Sequence, residues 1–503
     1  MKPLELAMST LEAGDRLEAE AIVARAARDV AMEKGADSAA YAAAEFDHAH
    51  ILIALGDLRR GADAIRRAAK VPAKTDEERK LRLTYLMNLG EALLHLGSLD
   101  ESEEVLRQGL SEREELYGKE HPGTAFGLEP LADLLLTKGK SEEALDLSDR
   151  ASAIFWSTGH PRVAQALALR AFAVKEHRGA DSPALEKLYG LPAELVDVVV
   201  TTILERAPRS KPAAALAVLD ELRAQAIDHG ASDAPWMMHV VATLSTIARA
   251  AGQQAIRRQA LEWLVERFDA VGDERQALSA VLGLALAHSE SGDDPASDAG
   301  YAEARRRAEL LADPIEISGV LRNHGLFYSE RDRRPEAARI LEESVAFARR
   351  ADDGDPSRAE AIGRSLIALG IFRQHGAELD VARAMLEEAL SLLPVNHPDT
   401  LYARSHLHAI VEGGSCGCGD PSAALSDALR ALVLPHAPPG LLEDLELVLG
   451  DDLDVRVKLS RSPTPAESEL LDRVIHLALV ELRQIAGAGR QPPNPIAATK
   501  PLS

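Results

Sequence analysis

Two cysteines in 503 residues, Cys416 and Cys418, lie within one short segment and leave no material for a disulfide framework. That scarcity fits a reducing, cytoplasmic setting. No stretch approaches the roughly 18 consecutive apolar residues that suggest a membrane span. The start, Met1 to Leu6, runs straight into patterned sequence carrying Glu5, Glu12 and Asp15, so it lacks the apolar core of a signal peptide. Neither a phosphate-binding Gly-x-x-x-x-Gly-Lys loop nor a dinucleotide fingerprint after a strand occurs. Positive charge is the scarcer sign: 57 Lys and Arg against 80 Asp and Glu give a net charge of −23. Such a field repels phosphate and argues against nucleic acid or an anionic membrane as general partners. The densest basic runs, Arg305-Arg306-Arg307 and Arg331-Asp332-Arg333-Arg334, read as solvated outer helix faces. Aromatic residues are only 4%, and long strand-like runs are missing. The nearest, Val196 to Ile203, continues without a turn signal into Leu204-Glu205-Arg206 and reads as helix.

What is present is a repeat. Gly14, Gly56, Gly97, Gly139 and Gly179 each close an apolar run, in steps of 42, 41, 42 and 40 residues. The ladder resumes at Gly252 and Gly292 and continues near Asp332 and Gly376. Small residues recur before these turns (Ala7, Ala49, Gly90, Ala132, Ser245, Ala285, Gly325, Gly370) and five positions past many of them (Ala19, Gly61, Ser102, Ala144, Ala337, Ala382). Small side chains on both arms let two helices of a hairpin cross closely. Fixed-period helix hairpins cannot bury their apolar faces singly, so they must stack into an all-α solenoid.

The segments Leu89 to Gly97 and Leu131 to Ala144 resemble tetratricopeptide repeats, and a period near 42 is similar to the kinesin-light-chain-like variety. The linkers carry its His-Pro signature at His121-Pro122, His160-Pro161 and His397-Pro398; proline suits the first turn of a helix. The resemblance implies a right-handed α-solenoid of about ten hairpins whose first helices form a concave groove for extended peptides or partner segments. It also implies an asparagine two residues before the small position. That column holds Asn88 and Asn323, but Glu5, Asp47, Pro130, Thr243 and Gly283 elsewhere, so a regular asparagine ladder is not carried over.

Prolines at 183, 192, 208, 212 and 235 interrupt the rhythm. The expected organisation is an N-terminal array over 1–180, a degenerate repeat or hinge over 181–240 and a second array over 241–435. A capping helical segment follows over 436–486, with its amphipathic helix beginning at Pro465. A docking role for that helix is the alternative. Residues 487–503 are expected to be disordered.

Candidate chemistry is thin. His406 and His408 with Cys416 and Cys418 could supply four metal ligands or a redox-active thiol pair, but two histidines two apart on a helix point about 200° apart. A glycine-rich turn is the simpler reading. Gly413-Gly414-Ser415-Cys416-Gly417 matches a nucleophile pattern that needs a strand before it, and here a helix precedes. Of His48 and His50, one is expected on a packed seam and the other toward groove or solvent. Trp156, Trp236 and Trp263, with Phe155 and Phe268, are expected to fill gaps between repeats.

The reading is therefore a cytoplasmic, bacterial, non-catalytic scaffold without cofactor or metal, bacterial being read from the Ala/Arg/Asp-rich composition. It binds a basic or neutral protein or peptide through Asp47, Asn88, Glu91, Arg170, Asn323 and Arg373. The alternative is a regulatory subunit that senses a peptide or small molecule and acts through a separate chain.

Overall fold

The computed structural model describes residues 2–395, 397–411, 421–449 and 453–488. It divides into two compact units, Met1–Ala260 and Leu261–Ser503. The first unit opens with four regular hairpins. They pair α1 (Pro3–Glu12) with α2 (Arg16–Lys34), α3 (Ala39–Ala54) with α4 (Leu58–Lys70), α5 (Asp76–His95) with α6 (Leu99–Tyr117), and α7 (Pro122–Thr137) with α8 (Ser141–Ser157). The stretch expected as a degenerate repeat or hinge, 181–240, is largely helical and packs within this unit. Here α10 (Ala193–Arg206) and α11 (Pro212–Asp228) both pack against α9 (Val163–Arg178) and α12 (Pro235–Ala250). The division between units falls later, within α13 (Gln254–Val271).

The second unit continues with α14 (Glu274–Glu290) and α15 (Asp294–Leu311), α16 (Pro314–Glu330) and α17 (Arg334–Ala348), α18 (Arg358–His375) and α19 (Leu379–Leu392), then α20 (Pro398–Val411) and α21 (Pro421–Val433). One apolar core runs through it from Leu278 to Ile410. The architecture is an α-solenoid of helix hairpins with a terminal capping helix, α22 (Pro465–Ala488), which buries Leu471, Val474, Ala478 and Leu482 and packs on α20 and α21.

Between α21 and α22 the chain departs from the expected helical cap by forming an antiparallel hairpin, β1 (Leu442–Leu449) and β2 (Leu453–Leu459). Leu445 and Leu447 are buried where β1 packs on α21, and the Leu447 amide donates to Ser426 Oγ at 3.0 Å. The alternation Leu453-Asp454-Val455-Arg456-Val457-Lys458-Leu459 has period two, so this strand signal was present in the sequence.

Local chemistry explains the repeat. At the α3–α4 turn Gly56 takes φ +87°, the Asp57 amide reaches back to the Leu52 carbonyl at 2.8 Å, and the Asp57 carboxylate accepts from the Arg60 amide at 3.1 Å. One residue pair thus satisfies the orphan groups of two helix ends. The small positions are close crossings: a Cβ on Gly90 would lie 2.4 Å from Leu106, and one on Gly325 2.6 Å from Leu341. Five residues past two of the turns, Ser102 and Ser297 donate to the carbonyls of Gly90 and Ala285 at 2.7 and 2.9 Å, locking the crossing. In each His-Pro linker the histidine ring accepts a backbone amide just past the proline, and at His121 this caps α7. Nδ1 of His121, His160 and His397 accepts the amide two residues on at 3.0, 3.2 and 3.2 Å.

Candidate peptide-binding face

In the first unit α1 packs on α3, α5 on α7 and α7 on α9; in the second, α16 packs on α18 and α18 on α20. First helices therefore form the tighter, inner layer of each array. Side chains that project from them between neighbouring repeats can meet a ligand.

In the first unit this layer is acidic. Glu129 on α7 is only 6% exposed. Its Oε2 accepts from Arg162 at the start of α9 at 2.9 Å, while Oε1 has no hydrogen-bond partner. Burial pushes this carboxyl up to about 7, with Arg162 opposing and Glu91 adding to the rise. Glu91 on α5 is open to solvent and makes no ion pair among the described residues, yet surrounding protein raises its carboxyl as well, Arg162 opposing and Asp133 contributing. An accessible group that is nonetheless poorly hydrated lies in a concavity. Asp133, one turn beyond Glu129, pairs with Arg206 of α10 at 2.5 Å, and the Arg206 guanidinium lies over the Phe172 ring at 5.5 Å. Arg162 lies over the Phe126 ring at 5.1 Å.

The corresponding layer of the second unit is built around arginine. Arg322, three residues before Gly325 as Glu129 is three before Ala132, is held down to about 10 by burial and by Arg364; Asp399 and Glu360 oppose this. Arg364 of α18 reaches Asp399 at 3.1 Å and Glu360 at 3.5 Å, and His397 lies 3.5 Å from Glu360.

The residues expected from sequence divide. Asp47, half-buried on α3, has its carboxyl raised by burial, with His50 and Lys2 opposing. Asn88 is half-buried and donates to the Thr84 carbonyl of its own helix at 2.9 Å. Glu91 joins the acidic cluster, and Asn323 is half-buried beside Arg322 in the chain. Arg170 and Arg373 face the other way. Arg170 pairs with Asp149 of α8 and donates to the Ala184 carbonyl at 3.3 Å. Arg373 pairs with Glu342 of α17 and with Glu378 at 2.9 Å. Both brace neighbouring helices, because a long guanidinium one turn off the inner face reaches the second-helix layer. Sequence reading missed Glu129, Arg162, Arg206, Arg322 and Arg364. The available signal was a lone charge inside an apolar run, as in Gly127-Leu128-Glu129-Pro130-Leu131.

The remaining candidates are accounted for locally. His406 Nδ1 contacts Gln374 Oε1 at 2.7 Å in the core, whereas His408 Nε2 contacts Asp427 at 2.9 Å, so the two rings diverge. Cys416, Cys418 and the nucleophile-like pattern lie outside the described residues, as do residues 489–503 of the tail. His48 is buried and His50 exposed, edge-on to Phe46 at 4.4 Å. Trp156 does not fill a gap: it is 42% exposed, with the Lys187 ammonium 5.7 Å from its ring. The basic runs are paired with acids, Arg305 with Glu343, Arg306 with Glu303, Arg307 with Asp269 and Arg331 with Asp294.

Residues 81–157 match the tetratricopeptide repeat family. That segment carries tetratricopeptide repeats. Those residues span α5 to α8, the hairpins that hold Glu91, Glu129 and Asp133. Among solved structures, similarity extends to a Podosopora anserina putative kinesin light chain with nearly identical TPR-like repeats. That match has 19% identity, covers 41% of this chain and 94% of that one, and has a TM-score of 0.31. The apo form of RapI matches at 12% identity over 78% of this chain and 96% of that one, TM-score 0.33. A tetratricopeptide repeat protein from Parabacteroides merdae ATCC 43184 matches at 14% over 65% and 98%, TM-score 0.28. No curated protein matches the chain. No helix among the described residues is long and apolar enough to cross a membrane.

Proposed function

We propose that this tetratricopeptide-repeat chain is a non-catalytic scaffold that binds a protein or peptide segment along its layer of first helices. The observation that carries the reading is Glu91: a carboxylate with no ion pair among the described residues, reachable from solvent and poorly hydrated, on the inner helix of a regular repeat. A group in that state gains from a partner that replaces its missing hydration. Over the first unit the acidic layer favours a basic or neutral segment. A cytoplasmic, bacterial setting completes the proposal and rests on the low cysteine content and the Ala/Arg/Asp-rich composition.

A photo-crosslinking side chain at position 91, compared with one at the exposed position 104 on second helix α6, tests this in native extract. Adducts formed from 91 and absent from 104 support the groove. Identical adducts from both positions, or adducts from 104 alone, defeat it.

A further inference from the structure

The acidic cluster of the first unit is one cation short. Arg162 binds Glu129 directly and acts on Glu91 only through its charge, while Asp133 pairs with Arg206 at 2.5 Å. Arg162 is committed through both its Nε and a terminal nitrogen to one oxygen, Glu129 Oε2, at 2.9 and 2.8 Å. The other oxygen, Oε1, belongs to a side chain 94% removed from solvent and has no donor. A buried acceptor left unmade costs about 1–3 kcal/mol, more when charged, so this oxygen is a vacancy with a defined chemistry. Pro130, next in α7, adds no backbone donor that could fill it.

We infer that Glu129 and Glu91 form a subsite for a basic side chain, arginine or lysine, carried by the segment that binds the inner helices of the first unit. The inference rests on the scaffold reading above and assigns one of its contacts. A guanidinium or ammonium supplies charge-assisted N–H donors to Oε1 and to Glu91 and favours the ionised form of both carboxyls, which a neutral donor does more weakly. A metal ion fits poorly: among the described residues no group of three or more His, Cys, Asp or Glu is arranged to hold one, and the Arg162 charge already stands in the cluster. Phe126, half-buried and faced by Arg162, offers an aromatic wall for the stem of the incoming side chain.

The probe is a random dodecapeptide display library panned on the intact chain, on Glu129→Gln and on Glu91→Gln. Glu129→Gln keeps the shape of the buried side chain, and position 91 is exposed, so that variant leaves folding intact. The expected result is a selected consensus with Arg or Lys at one fixed position, lost from that position alone in both variants. Wild-type-selected peptides should bind either variant at least tenfold more weakly, while substitution of their basic residue should make wild type and variants equal. A consensus lacking a basic residue, or one unchanged in both variants, overturns the subsite and leaves the scaffold reading standing. Failure to select any peptide overturns the groove reading itself, and the subsite with it.

Discussion

The two units solve the same packing problem and then place opposite charges at one point of it. Three residues before the close-crossing position, the first unit carries Glu129 and the second Arg322. Burial acts on both in the same sense, against the charged form, pushing the acid up to about 7 and the base down to about 10. The consequence differs because of where these values fall. At neutral pH Glu129 sits at its midpoint, whereas Arg322 stays fully charged. An inner face floored by Glu129 therefore adjusts its charge to what approaches, and one floored by Arg322 does not.

The largest expected effect comes from removing that difference. In the folded state Glu129 keeps its proton up to about pH 7, while in the unfolded chain it releases it near 4.5. Stability must then fall as pH rises through that window, by about 3 kcal/mol for the full shift. Glu129→Gln removes this contribution, so the gap between denaturant titrations at pH 5 and pH 8 should change by about that amount between wild type and variant. Equal divergence in both would show that the carboxyl is ordinary.

Next come the shared crossings. Gly90→Ala and Gly325→Ala each drive a methyl to within 2.4 and 2.6 Å of a buried leucine, and overpacking of this kind costs about 1–3 kcal/mol. Both variants should lower the denaturation midpoint. A stabilised Gly325→Ala would mean that the second unit's hairpins cross more loosely than the first's.

The turns differ as well. Each regular hairpin of the first unit turns on glycine, as at Gly56 and Gly97; the second does so at Gly292 (φ +74°) but places Asp332 at φ +55° and Ala377 at φ +61° in its next two turns. The left-handed region costs a non-glycine residue about 1 kcal/mol, so Ala377→Gly should stabilise by about that amount, against the usual penalty of glycine. The smallest effect is a difference of zero. Because Arg322 titrates only near 10, Arg322→Met should change stability equally at pH 5 and pH 8, in contrast to Glu129→Gln.

Much of this architecture was legible in the chain. The period, the turn glycines, the small crossing residues and the His-Pro linkers are local requirements, each set by the φ, volume or capping group of one residue. The helical reading of Val196 to Ile203 agrees with α10, whereas the β-hairpin was not read, although Leu453 to Leu459 alternates plainly; the helical period elsewhere dominates the tail's pattern. Of the candidate residues, Glu91, chosen for its place near Gly90, lies within the influence of Glu129's partner Arg162, while Arg170 and Arg373, chosen on the same ground, pair with other helices. Their direction depends on partners 21 and 31 residues away, Asp149 and Glu342.

The sequence by itself determined a stack of helix hairpins, because hairpin formation is decided by groups within about 40 residues of one another. Only the tertiary structure decided which charges stand together and which lack a partner. Glu129, Glu91 and Arg162 come from three different repeats, and the energy of a buried charge depends on what surrounds it in space, not on its neighbours along the chain.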